Sequence, residues 1–210
     1  MHREEEFKGT TTIGLVCKDG VVLATERRAV MGTFIASREA KKIYRLDDML
    51  AMTTAGSVGD AQQLARIMSA EAKLYKMRRD KPMSPKAAST LLANVLSGSK
   101  YFPFLVQLLV GGLNAEGPGL FSLDAVGGQI EEKRAAATGS GSPMAYGVLE
   151  DRYAEDIAVD AAVELAIRAL HTAMKRDSAS GDSIEVVKIT QDGYTKLSDE
   201  EVRKIRGAFS

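Results

Sequence analysis

Glycine followed by three threonines, Gly9-Thr10-Thr11-Thr12, opens the first strand-like stretch of the chain. Threonine favours strands, so taken alone the run reads as an ordinary strand start. Breaking the Gly9–Thr10 bond would change its chemistry by placing a free α-amine beside a hydroxyl on one residue. An α-amine titrates at roughly 7.7–8.0 against roughly 10.4 for lysine, so near pH 7 about a tenth of it is neutral. That fraction can take the proton from its own Oγ as the oxygen attacks a carbonyl, with no histidine required. Glycine at position 9 suits self-cleavage, because the absent Cβ permits the tight kink that brings Oγ to the preceding carbonyl.

Such a nucleophile needs electrostatic support. Glu26, in Thr25-Glu26-Arg27-Arg28, and Lys42, in Lys41-Lys42-Ile43, are candidates. A lysine beside Thr10 would keep the amine neutral and favour the alkoxide, and a carboxylate would hold the ammonium in place. By spacing alone both are equally readable as solvated surface charges. Gly56, in Thr53-Thr-Ala-Gly56-Ser-Val-Gly-Asp60, joins a strand to a helix, where a backbone N–H is a ready oxyanion donor. Gly139-Ser140-Gly141-Ser142 and Asp177-Ser178-Ala179-Ser180-Gly181 are polar turns.

Other patterns carry less. Ser97-x-x-Lys100 lacks the companion Ser-Asp-Asn and Lys-Thr-Gly motifs of penicillin-binding enzymes. His2 and His171 are isolated, with no metal-ligand spacing around either. Cys17 falls in an apolar strand and reads as core, Glu4-Glu5-Glu6 reads as a solvated charge run, and the paired glycines build no phosphate loop.

The elements that must position these residues follow from periodicity. Strands are expected over Thr10–Val16 and Val21–Thr25 around an Asp19-Gly20 turn, then over Lys41–Leu46 and Met49–Thr54. A capping box at Ser57/Asp60 opens a helix with Ala61, Leu64, Ala65, Met68, Ala72 and Tyr75 on one face. Ser84-Pro85 opens a second helix, to about Leu96. Strands follow at Leu105–Leu113, Leu120–Val126 and near Ile130–Ala136. Helices are expected over Pro143–Asp151 and along Val159, Val163, Ile167, Leu170 and Met174. A hairpin (Ile184–Thr190, Tyr194–Leu197) and a short helix capped by Ser198 and Glu201 end the chain. Two stacked sheets with helix pairs outside both would bury every apolar face.

Length and charge narrow the class. At 210 residues the chain fits one domain with a sizeable core. Lys plus Arg and Asp plus Glu number 28 each, so no global field draws nucleic acid or an anionic membrane. No apolar run approaches a bilayer span, and Met1–Gly9 has no secretory apolar region. A single cysteine permits no internal disulfide, which suits a reducing, cytoplasmic compartment.

Six motifs in order, namely Gly-Thr-Thr-Thr, Thr-Glu-Arg-Arg, Lys-Lys, Thr-Ala-Gly-Ser-Val-Gly-Asp-Ala, Gly-Ser-Gly-Ser and Arg-Asp-Ser-Ala-Ser-Gly, resemble the proteasome β-subunit family, nearest its archaeal type. The resemblance runs from about Gly9 into the last hairpin. It implies an α+β fold, the four-layer α-β-β-α sandwich of N-terminal nucleophile hydrolases, and a threonine endopeptidase that acts on unfolded polypeptides without metal or organic cofactor. Thr10 matches the nucleophile, Lys42 the lysine that tunes its amine, and Glu26 the carboxylate that holds the lysine. Many relatives carry aspartate there, so the lysine contact could be direct or shifted. Gly56 matches the oxyanion donor, and Ser140, Asp177 and Ser180 match residues that brace the threonine. Gly9–Thr10 matches the self-processing point, making residues 1–9 a propeptide and 10–210 a single catalytic domain. Ala29, Ala40, Tyr44, Thr54, Val58 and Gln62 fall at positions resembling the pocket for the residue before the cut. None is charged, which suits apolar or aromatic side chains. Partners implied are other β subunits in a seven-membered ring, α subunits and, indirectly, a regulatory ATPase. A non-catalytic ring subunit and a different N-terminal nucleophile amidase are the alternatives.

Overall fold

The computed structural model describes residues 9–209. Of the expected propeptide only Gly9 falls inside that range; His2 and the Glu4–Glu6 run lie outside it.

The strands β1 (Thr12–Cys17) and β2 (Gly20–Glu26) form the expected hairpin. A second, short hairpin, β3 (Ala29–Met31) and β4 (Phe34–Ser37), follows. Periodicity does not reveal it: each strand is four residues or fewer, Met31 and Phe34 point outward, and the alternation needed to recognise a half-buried strand is absent. Next come β5 (Ile43–Asp47), β6 (Leu50–Gly56), α1 (Val58–Arg79) and α2 (Pro85–Gly98). They lead to β7 (Val106–Asn114), β8 (Gly117–Leu123), β9 (Gln129–Glu132) and β10 (Ala135–Thr138). The chain closes with α3 (Ser142–Arg152), α4 (Val159–Met174), β11 (Ile184–Thr190), β12 (Gly193–Lys196) and α5 (Asp199–Gly207).

Two five-stranded sheets result, in the orders β10-β1-β2-β11-β12 and β5-β6-β7-β8-β9, antiparallel throughout. The single strand expected near Ile130–Ala136 is in fact two. The chain breaks at Lys133-Arg134 and its halves join opposite sheets. Both charges face solvent there, so neither sheet could continue through them without burying one.

Three apolar layers hold the sandwich. Leu64, Met68, Leu92, Leu96, Val110 and Phe121 pack α1 and α2 on one sheet. Val21, Leu23, Leu109, Leu120 and Val187 fill the space between the sheets. Ile13, Leu15, Val22, Ala166, Leu170 and Val202 pack the other sheet on α4 and α5. Each fully buried side chain of this size contributes about 1.5–3 kcal/mol.

Helix ends follow local chemistry. Ser57 caps α1 by accepting from the Asp60 amide at 3.4 Å. The reciprocal half of the expected capping box is missing, because the Asp60 carboxylate accepts from the Leu105 amide at 2.9 Å and ties α1 to the start of β7. At α5 the box is complete between Ser198 and Glu201.

Candidate functional site

The register Thr12↔Thr25, Thr12↔Thr138, Ile184↔Glu26 and Ile43↔Thr53 brings one end of both sheets together. The polar residues singled out above collect there. Strand β1 begins two residues later than expected, so Thr10 and Thr11 stand ahead of the ladder and their polar groups are met by side chains. The Thr25 hydroxyl donates to the Thr11 carbonyl at 3.1 Å.

Thr10 is 3% exposed, and its Oγ donates to the Gly9 carbonyl, the group it would have to attack. Gly9 has φ +143°, and a Cβ there would come within 2.6 Å of Val30 Cγ2. Only glycine makes this kink without strain or collision.

Against the Thr11 backbone lies a buried ion pair. Lys42 Nζ donates to Glu26 Oε1 and, at 2.6 Å, to the Arg28 carbonyl. The longer glutamate therefore contacts the lysine directly. Oε1 also accepts from the Thr11 amide at 3.2 Å, which places Lys42 one shared acceptor from the Thr10–Thr11 backbone. Oε2 accepts from the amides of Arg28 at 2.6 Å and Gly181 at 3.1 Å. Four donors on one carboxylate satisfy a group with no solvent access. Burial pushes the Glu26 carboxyl up, opposed by Lys42 and by the Gly181 and Arg28 amides. Burial likewise pushes Lys42 down, opposed by Glu26 and Asp177. Each partner thus opposes the penalty that burial places on the other's charge.

Asp177 Oδ2 accepts from the hydroxyls of Ser140 and Ser180, both at 2.6 Å. Ser140 also reaches the Thr10 carbonyl at 3.5 Å, and Ser180 lies 2.7 Å from Thr11 Oγ1. Gly56 ends β6 on the exposed surface, immediately before the cap of α1. The residue before it, Ala55, lies near this group: a Cβ on Gly139 would strike the Thr10 carbonyl and lie 3.3 Å from Ala55 Cβ.

The expected substrate-pocket residues are less unified. Tyr44 and Gln62 line one cleft of about 470 Å³. Ala29 on β3, Ala40 before β5, Thr54 on β6 and Val58 at the start of α1 do not line it. The cleft also carries Lys41, Arg45, Arg66 and Lys73, cations that the six uncharged positions do not anticipate.

Sequence reasoning misses a second hydroxyl chain. Thr53 donates to Thr12 at 2.9 Å, and Thr12 lies 2.7 Å from Thr138. A signal for it exists, since hydroxyls stand where inward-facing strand positions would otherwise be aliphatic. Among the described residues no group of three or more His, Cys, Asp or Glu side chains is arranged to hold a metal ion, and no helix is long and apolar enough to cross a membrane.

Two facing antiparallel sheets with helices outside both form the α+β sandwich of the N-terminal nucleophile hydrolase class. The family model described as proteasome subunit matches residues 6–189. The chain is 65% identical over 205 residues to a protein of Methanohalophilus mahii named proteasome subunit beta, covering 98% of each chain. It is 64% identical over 206 residues to the Methanococcoides burtonii protein of the same name, again covering 98% of each. It is 61% identical over 209 residues to that of Archaeoglobus fulgidus, covering 100% of this chain and 98% of the relative. The chain belongs to the proteasome subunit family.

Proposed function

We propose that this chain is a catalytic β-type subunit of a proteasome core particle, a threonine endopeptidase made as a precursor and activated by cleavage of its own Gly9–Thr10 bond. The observation that carries this reading is the Thr10 hydroxyl lying against the Gly9 carbonyl, with the buried Lys42–Glu26 pair bonded to the next backbone amide, that of Thr11. In processing, Thr10 Oγ attacks the Gly9 carbonyl carbon, and its proton passes to the Thr10 nitrogen as the C–N bond breaks. Collapse transfers the acyl group from nitrogen to oxygen, and water hydrolyses the resulting ester. The products are a Gly9 carboxylate on the released leader and a free Thr10 amine.

That amine then serves as the base for substrate. It takes the Oγ proton as Oγ attacks a substrate carbonyl, and passes it to the departing amine. A water molecule, activated by the same amine, hydrolyses the acyl ester. The Lys42 ammonium favours the neutral amine and the developing alkoxide. The Gly56 N–H steadies the oxyanion, while Ser140, Asp177 and Ser180 brace the threonine. Residues 10–210 act as one catalytic unit in a seven-membered ring of β subunits stacked on α subunits, in the cytoplasm, with unfolded polypeptide delivered by a regulatory ATPase.

Mass analysis of the purified assembled particle is the test. A mature chain beginning at Thr10, and a Thr10→Ala particle that keeps its leader and cleaves fluorogenic peptides at least a thousandfold more slowly, are expected. An intact leader in active particles, or a Thr10→Ala particle with undiminished activity, overturns the reading.

A further inference from the structure

Glu26 ends β2, paired with Ile184 of β11, and Lys42 stands just before β5; the turn after β2 that carries Arg28 and the link before β5 that carries Arg38 flank the pair. Backbone bonds hold these segments at a few points, Arg27 N–H to the Ser183 carbonyl at 2.9 Å, Ala40 N–H to the Arg27 carbonyl at 2.9 Å and Thr54 N–H to the Lys42 carbonyl at 3.0 Å, and side chains add to them. Both segments converge on Asp182. Arg28 Nε donates to Asp182 Oδ2 at 2.9 Å, and Arg38 Nη1 donates to Oδ1. Arg28 Nη1 reaches the Ser178 carbonyl at 2.8 Å, so its guanidinium spans the 178–182 turn. A Cβ on Gly181 would collide with that guanidinium. The Arg28 backbone in turn donates to Glu26 and accepts from Lys42.

Asp182 is itself anchored. It stands in the left-handed region at φ +66°, which aspartate tolerates better than most side chains. Its carbonyl accepts from Arg206 Nη1 on α5 at 3.3 Å, and Arg206 Nε reaches His171 Nδ1 on α4 at 3.2 Å. The hydrogen bond from Arg28 holds the Asp182 carboxyl below its ordinary range, against partial burial, so it is ionised at neutral pH.

We infer that Asp182 is a positioning residue for peptide hydrolysis, a single carboxylate that braces, through Arg28 and Arg38, both chain segments flanking the Glu26–Lys42 pair. It touches neither Thr10 nor substrate. The inference rests on the proposed roles of Thr10 and Lys42. The two arms differ in weight. Arg28 and Asp182 are 20% and 12% exposed, whereas Arg38 is 65% exposed and its ion pair is screened by water. Arg28 therefore transmits most of the constraint.

The experiment uses assembled particles of the full chain and a fluorogenic peptide ending in leucine or tyrosine. Asp182→Asn keeps the size of the side chain and a residue tolerant of the left-handed backbone, while it removes the charge and turns one of the two acceptor oxygens into a donor. Its kcat is expected to fall about tenfold, equivalent to about 1.4 kcal/mol of barrier. KM should stay within about twofold, and melting temperature and particle yield should match the parent. Arg38→Ala, on an exposed side chain, should lower kcat about twofold and gives the same reading should Asp182→Asn not assemble. An unchanged kcat in either variant, or a loss that merely tracks particle yield, overturns the positioning role. A Thr10→Ala particle that still cleaves the peptide would instead sink the underlying function, which separates the two failures.

Discussion

Side chains are buried both in the middle of the space between the two sheets and at its Thr10 end, yet the two stretches are built from opposite chemistry. In the middle lie Val21, Leu23, Leu109, Leu120 and Val187, packed on one another. At the Thr10 end lie Thr10, Thr11, Thr12, Thr25, Glu26, Lys42, Thr53, Thr54 and Ser180, nine of the eleven buried polar or charged residues among those described. Such groups cost stability unless each finds a partner, and a burial of this density has no structural advantage over leucine and valine. The apolar stretch makes the sandwich, and the polar stretch spends part of that stability on holding one hydroxyl and one ammonium in place.

The comparison breaks most sharply at Lys42. Lys42→Ala would leave the Glu26 carboxylate buried among amides without its counter-ion, costing about 3–5 kcal/mol of stability, and would abolish both processing and peptide cleavage. Urea unfolding and leader retention read the two effects. Leu23→Ala in the apolar stretch should cost a comparable amount, about 2–5 kcal/mol, yet kcat per assembled particle should stay within about twofold. Equal loss of kcat from both variants would erase the distinction. Thr12→Val removes the hydroxyl between Thr53 and Thr138, for a loss of about 1–3 kcal/mol and a smaller effect on rate.

The smallest expected effect concerns Cys17, at the far end of β1. Burial pushes its thiol from 9.0 up to about 12. A thiol whose folded value lies above its unfolded value favours the native state in full below about pH 9, and loses that contribution as pH rises toward about 12. The urea midpoint should therefore fall between about pH 8 and about pH 10.5 by more in the parent than in Cys17→Ala. The native thiol should also resist alkylation near pH 8, where the Thr10 end, after processing, would present a reactive amine.

Much of this division is legible in the amino-acid sequence alone. The β-branched runs of β1 and β2 about the Asp19-Gly20 turn, the capped starts of α2 and α5, and the stripe from Ala61 to Ala72 depend on neighbours close in sequence, and the structure contains each of them. Thr10, Glu26 and Lys42 are candidates by residue type, Ser140, Asp177 and Ser180 only through the family resemblance, and the fold brings all six together. Long-range pairing escapes such reading: nothing local tells that Arg28 meets Asp182, or that Thr12 meets Thr53. The break at Lys133-Arg134 escapes for the same reason, since Ile130 to Ala136 reads as one strand until two sheets compete for its halves. The positions expected to form a pocket are the least legible part: only Tyr44 and Gln62 share a cleft, and two of the cations that line it, Arg66 and Lys73, come from α1.

That break carries a mechanical consequence. Stacked sheets stand about 10 Å apart, and here two residues span the gap, connecting β9 at the rim of one sheet to β10 at the rim of the other. A tether this short leaves no slack. The sandwich cannot gape along that margin as a clam does, and β10, which leads directly into Ser140, is pinned along with it. Any motion that admits a polypeptide must come from the opposite margin or from side chains, so adding slack at Lys133-Arg134 is a way to loosen one wall of the site without altering a residue inside it.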